Sequence, residues 1–100
     1  MKININEVSY IKIVAKRWFQ KSAGNTQHSV NVLVASGEGT KYNLESIGYI
    51  PRRYGYGDHY LNTAAEILGI SEQELRSLIS RYGIEKFVIV CTDVLRKKDL

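Results

Sequence analysis

The residues whose types and spacing suit chemistry fall into three short stretches. The first is Pro51-Arg52-Arg53-Tyr54-Gly55-Tyr56-Gly57-Asp58, in which two arginines precede two Tyr-Gly pairs and an expected helix start. Guanidinium groups pair bidentately with phosphate, glycines let backbone N–H groups approach a ligand, and a helix N-terminus favours anions. Tyr54, Tyr56 and the nearby Tyr60 add ring faces on which a base can stack. The competing reading is structural: Gly55 and Gly57 make tight turns and the tyrosines cover the rim of a sheet. Asp58, placed as the helix N-cap, also opposes direct phosphate binding there, because its carboxylate repels a second anion.

The second stretch, Lys16-Arg17-Trp18-Phe19-Gln20-Lys21, interleaves positive charge with two aromatic rings. Non-specific single-strand binders are built this way. Its structural alternative puts Trp18 or Phe19 in the core, with the lysines keeping a strand edge soluble. The third, Gly24 to Ser29, gathers Asn25, Thr26 and His28 as hydrogen-bonding groups at the mouth of a strand. His28 beside Ser29 raises hydrolysis, but general acid–base chemistry needs a positioned partner and none stands out. His28, His59 and Asp58 are too few and too scattered for zinc. Cys91 is the single cysteine, so an internal disulfide and a cysteine-built metal site are excluded. Its apolar neighbours make it a buried thiol, and a reducing compartment is expected. With no Walker loop, dinucleotide fingerprint or metalloprotease helix in the chain, no metal and no cofactor are expected.

The elements that must position these residues are legible from periodicity. From Val8 to Trp18 the residues alternate, with Ile11, Ile13 and Ala15 as the core face; Lys2 to Asn6 alternate too. A turn cluster over 22–26 leads to a second strand with His28, Val30, Val32 and Val34 on one face. Gly37-Glu38-Gly39 turns the chain into a weaker third strand from Tyr42 to Ile50, interrupted at Gly48 and ended by Pro51. The period then changes. Leu61, Ala64, Ala65 and Leu68 make one helical stripe, closed by Gly69. Ser71 and Glu74 form a capping box, stapled by Ile70 and Leu75, ahead of the stripe Leu75, Leu78, Ile79 and Tyr82. Phe87 to Val94 is apolar on both faces, which predicts an interior strand. The expected fold class is α+β: a single domain over 1–100, a two-layer sandwich of order β-β-β-α-α-β, with a mainly antiparallel sheet packed on a helix pair.

One hundred residues suffice for one domain. No apolar run is long enough to span a membrane, and MKININEVSY has no apolar signal core. The net charge of +4 is unevenly spread: residues 58–82 hold four acids and two bases, while the rest hold twelve bases and six acids. Such asymmetry predicts an anionic partner for the basic portion.

Two strings, Trp18-Phe19 followed by Gly24-Asn25-Thr26-x-His28-Ser29-Val30, and Tyr54-Gly55-Tyr56-Gly57-Asp58-x-Tyr60-Leu61, resemble short uncharacterised proteins of bacteriophages and other mobile elements. The likeness covers about residues 8–68. It brings no catalytic residues with it. It implies an accessory protein that acts by binding in the cytoplasm of a bacterial host, with an anti-defence role in view. The residues themselves predict a non-enzymatic module that binds nucleic acid or a signalling nucleotide. Arg52, Arg53, Lys16 and Arg17 would supply charge, Tyr54, Tyr56 and Trp18 stacking, and Asn25 and His28 hydrogen bonds. The alternatives are a protein–protein inhibitor of a host defence system, using the same tyrosines and arginines as anchors, and thirdly a small enzyme using His28. An unpaired edge strand would also allow a homodimer.

Overall fold

The computed structural model describes residues 8–22, 24–36, 44–55 and 57–100. Tyr56, the leader Lys2 to Asn6, the turn Gly37-Glu38-Gly39 and Tyr42 lie outside the described residues. The elements run β1 (Val8–Gln20), β2 (Asn25–Ser36), β3 (Glu45–Tyr54), α1 (Tyr60–Leu68), α2 (Glu72–Tyr82) and β4 (Phe87–Val94), in the order the patterning predicts. They form one four-stranded sheet, ordered β3-β2-β1-β4. Antiparallel pairing joins β1 to β2 and β2 to β3, whereas β4 runs parallel to β1. The helix pair is therefore the crossover that carries the chain from one edge of the sheet to the other.

Alternation decides what each face of the sheet carries. Ile11, Ile13 and Ala15 of β1 lie opposite Val34, Val32 and Val30 of β2 on one side and Phe87, Ile89 and Cys91 of β4 on the other. This face is closed by Leu61, Ala64, Ala65, Leu68 and Leu75 from the two helices, which form the buried core with it, Ile89 and Cys91 packing half-buried against its margin. Gly48 lies opposite Val32 in β3, and a Cβ there would come within 2.5 Å of the Ile67 side chain. The missing side chain is what lets α1 lie close on this strand. Neither α1 nor α2 packs on the other face.

Local signals at the helix ends are met in two places and fail in one. Gly69 closes α1 at φ 77°. Ser71 caps α2, its hydroxyl accepting from the Glu74 N–H at 3.0 Å. Asp58 does not cap α1. The residue before that helix is His59, already in helical backbone at φ −57°, ψ −22°, and no side chain caps it. A capping side chain needs an extended backbone at the cap, which this turn does not provide. The Asp58 carboxylate instead reaches Arg76 of α2 at 3.0 Å.

Two further expectations are corrected. Pro51 does not end the third strand, which continues through Arg52 and Arg53 to Tyr54. β3 is an edge strand, and its register shifts where Pro51 and Arg52 together oppose Ser29. Edges and bulges are where a sheet tolerates a residue without an N–H. β4, expected in the interior, is the opposite edge. On its inner face Phe87 is buried and Ile89 half-buried, while on the other face Val88 is half-buried and Val90 is 39% exposed. Apolar side chains on both faces record how well a strand is covered, and carry no information about how many strands pair with it. Cys91, expected to be buried, is likewise only half-buried.

Candidate functional site

The strand continuing through Pro51 separates two arginines that neighbour each other in sequence. Arg53 lies opposite His28 and forms an ion pair with Glu66 of α1, on the helix side. Arg52 lies with Tyr49, Pro51, Lys97 and Lys98 on the helix-free side. The same alternation splits β1. Arg17 falls on the helix side, its Nε donating to Asp93 Oδ1 at 2.8 Å and its Nη1 to the Gly57 carbonyl at 2.9 Å. Lys16 and Trp18 fall on the helix-free side, opposite Ser29 and Gln27. Arg17 and Arg53 are thus committed to holding elements together, which leaves Lys16 and Arg52 as the charges presented outward.

His28 is fully buried. Its Nδ1 lies 3.2 Å from the Gly55 carbonyl, which can only accept, so this nitrogen carries the proton. Nε2 then accepts from the Thr63 hydroxyl of α1 at 2.7 Å. Both ring nitrogens are occupied, and no edge of the ring faces a ligand. The expected hydrogen-bonding or catalytic role is corrected to a structural one: His28 ties β2 to α1 and to the start of the following turn. The His59 ring lies 5.8 Å away, centroid to centroid. It packs so closely on Gly55, at φ +154°, that any Cβ there would collide with it.

Burial pushes the His28 pKa below its ordinary value, with the His59 and Arg53 charges acting in the same direction against the Gly55 carbonyl. The unfolded chain therefore takes up a proton near pH 6.5 that the folded chain refuses. Stability is expected to be complete above that pH and to fall as the pH is lowered, until folded His28 itself protonates. Urea midpoints measured between pH 7.5 and 5 check this, and a midpoint rising on acidification would contradict it.

Asn25 and Tyr54 border an open cleft of about 860 Å³ lined also by Phe19, Thr26, His59 and Arg76; Tyr54 lies opposite Gln27, in the same cross-strand row as Trp18. Arg76 is occupied by Asp58 and by Glu72 at 2.9 Å, and both acids line the same cleft. Acid exceeds base here, so the cleft suits an anion poorly. The expected rim is divided: Lys16, Trp18 and Arg52 share the helix-free face with Tyr54 at its margin, Arg17, Arg53 and His28 are held by partners on the helix side, and Asn25 lines the end cleft, which Tyr54 also borders.

The helix-free face also gathers residues that the sequence reading left unassigned. Tyr10, Lys12 and Val14 precede Lys16 and Trp18 on the same side of β1, and Tyr49 lies opposite Asn31 on β3. The segment after β4 joins them. Leu95, Lys98 and Leu100 border a groove with Lys16, and Lys97, Lys98 and Leu100 border the next one with Tyr49 and Arg52. Residues 95–100, which include the short 3-10 helix Lys97–Asp99, therefore reach from the β1 side of this face to the β3 side, and Ser29, on the strand between, is 3% exposed. Among the described residues, Lys12, Lys16, Arg52, Lys97 and Lys98 form no ion pair, while Arg96 is paired with Asp99 at 3.1 Å. A signal for this surface was present in β1, whose even positions repeat aromatic and basic residues. No helix among the described residues is long and apolar enough to cross a membrane. Comparison of the chain with protein-family models, curated proteins and solved structures finds no match.

Proposed function

We propose that this protein is a non-enzymatic binding module that holds a phosphate-bearing ligand against the helix-free face of its sheet. One observation carries the reading. Five cations without ion-pair partners among the described residues lie on that face, whereas the acids of 58–82 belong to the helices on the other and to the turn before them. Unpaired charge concentrated on one side attracts polyanions, and charge already paired does not. Inorganic polyphosphate is the probe, followed by fluorescence anisotropy of an end-labelled chain. Binding is expected at 50 mM salt and is expected to weaken steeply by 200 mM as condensed counterions compete. Absence of any salt-sensitive binding overturns this reading. It would shift weight to a protein partner engaged through Phe19 and Tyr54, which are 55% and 63% exposed at the end cleft.

A further inference from the structure

We infer that the phosphate-bearing ligand is a single-stranded nucleic acid, laid across the helix-free face with bases stacked on Tyr49 and Trp18; this rests on the polyanion-binding reading above. Aromatic and cationic side chains alternate there in rows. Val14, Asn31 and Tyr49 form one cross-strand row; Lys16, Ser29 and Arg52 form the next; Trp18, Gln27 and Tyr54 form the third. The cationic row thus lies between one that ends on Tyr49 and one that ends on Trp18 and Tyr54, so a strand crossing from Tyr49 to Trp18 meets a ring, then charge, then a ring. Along β1 the same side carries Tyr10, Lys12, Val14, Lys16 and Trp18. Each two-residue step is about 6.6 Å. That is about twice the 3.4 Å rise of one strand in a duplex. The spacing fits an extended, unstacked strand.

The same geometry argues against the other phosphate ligands. A duplex is read by an element that protrudes into a groove. This face presents the sheet and residues 95–100 lying against it, with neither α1 nor α2 on this side to enter a groove. A duplex also keeps its bases stacked on one another, which leaves Tyr49 and Trp18 nothing to hold. A mononucleotide is too small. Lys12 and Lys16 are about 13 Å apart along β1, and Arg52 lies two strands from Lys16, about 10 Å across. One or two phosphates reach only part of that spread.

Trp18 is the single tryptophan of the chain, so its emission reports on this face without a label. The experiment titrates the full chain with single-stranded DNA and RNA of about 20 nucleotides, with a duplex of equal length, and with polyphosphate, which has no bases. Single strands are expected to quench Trp18 and to bind at least about tenfold more tightly than duplex, with a log–log salt slope near −3.5 if all five cations engage. Tyr49 is 52% exposed on an edge strand, so Tyr49→Ala is expected to fold. It should weaken single-strand binding by about five- to a hundredfold, a larger loss than for polyphosphate. Arg81→Ala, on the exposed side of α2, serves as the control and should match the parent chain. Equal or tighter binding of duplex, or single strands bound without quenching and without sensitivity to Tyr49→Ala, overturns the inference. Polyphosphate bound as tightly as oligonucleotide would overturn it while leaving the polyanion reading standing. No binding of either removes both.

Discussion

Replacing His28 by alanine is expected to destabilise the protein by about 3–5 kcal/mol, which for a domain of this size lowers the melting temperature by roughly 15–30 °C. The ring is fully buried, so its removal leaves a cavity where β2 meets α1. It also leaves the Thr63 hydroxyl and the Gly55 carbonyl without the partners they have at 2.7 and 3.2 Å. Stranding a buried polar group costs about 1–3 kcal/mol, and truncating a large buried side chain about 2–5. Against a total stability of about 5–15 kcal/mol, this one substitution brings the chain close to unfolding. Thr63→Val keeps the volume and strands only Nε2, so its cost should be smaller, about 1–3 kcal/mol. Circular dichroism melts at pH 7.5 order the three proteins. A His28→Ala melting temperature within about 4 °C of the parent would show that the ring is not holding these elements together. Loss of a turnover without loss of stability would instead make His28 catalytic.

The second large effect separates charges that are equivalent in sequence. Lys16→Ala with Arg52→Ala is expected to weaken polyanion binding about thirtyfold near 0.1 M salt and to reduce the magnitude of the salt slope by about 1.4. Each phosphate contact on a single strand releases about 0.7 of a counterion, which near 0.1 M salt is worth about 1 kcal/mol. Arg17→Ala with Arg53→Ala removes the same formal charge but leaves binding nearly unchanged, because both guanidiniums are held by Asp93 and Glu66. Their loss should appear in stability, at about 0–1 kcal/mol for each partly exposed pair. Anisotropy titrations at several salt concentrations compare the two double variants. Equal losses of affinity would place the ligand on both sides of the sheet and contradict the one-sided surface.

These two predictions divide along the line between what neighbouring residues encode and what they do not. The core face of β1, the buried face of β2, the stripe Leu61, Ala64, Ala65 and Leu68, and the Ser71 cap all follow from residues within four positions of one another. Periodicity and capping are short-range physics, and they carried the element order and the fold class. Neither reaches across the sheet. That Pro51 is tolerated inside β3 depends on that strand being an edge, and only that continuation sends Arg52 and Arg53 to opposite faces.

Asp58 looked like a cap because a cap is a local device; its partner, Arg76, is on another helix. The place of β4 was hidden for the same reason, since the Arg17–Asp93 pair joins residues 76 apart. The sequence alone determined which elements form and which side of each is apolar, because those choices minimise exposed apolar surface within a single strand or helix. Tertiary structure alone decided which cations are neutralised and which stay unpaired. A charge is cancelled by whatever lies within a few ångströms, and strands and helices far apart in the chain are brought that close only when the sheet assembles.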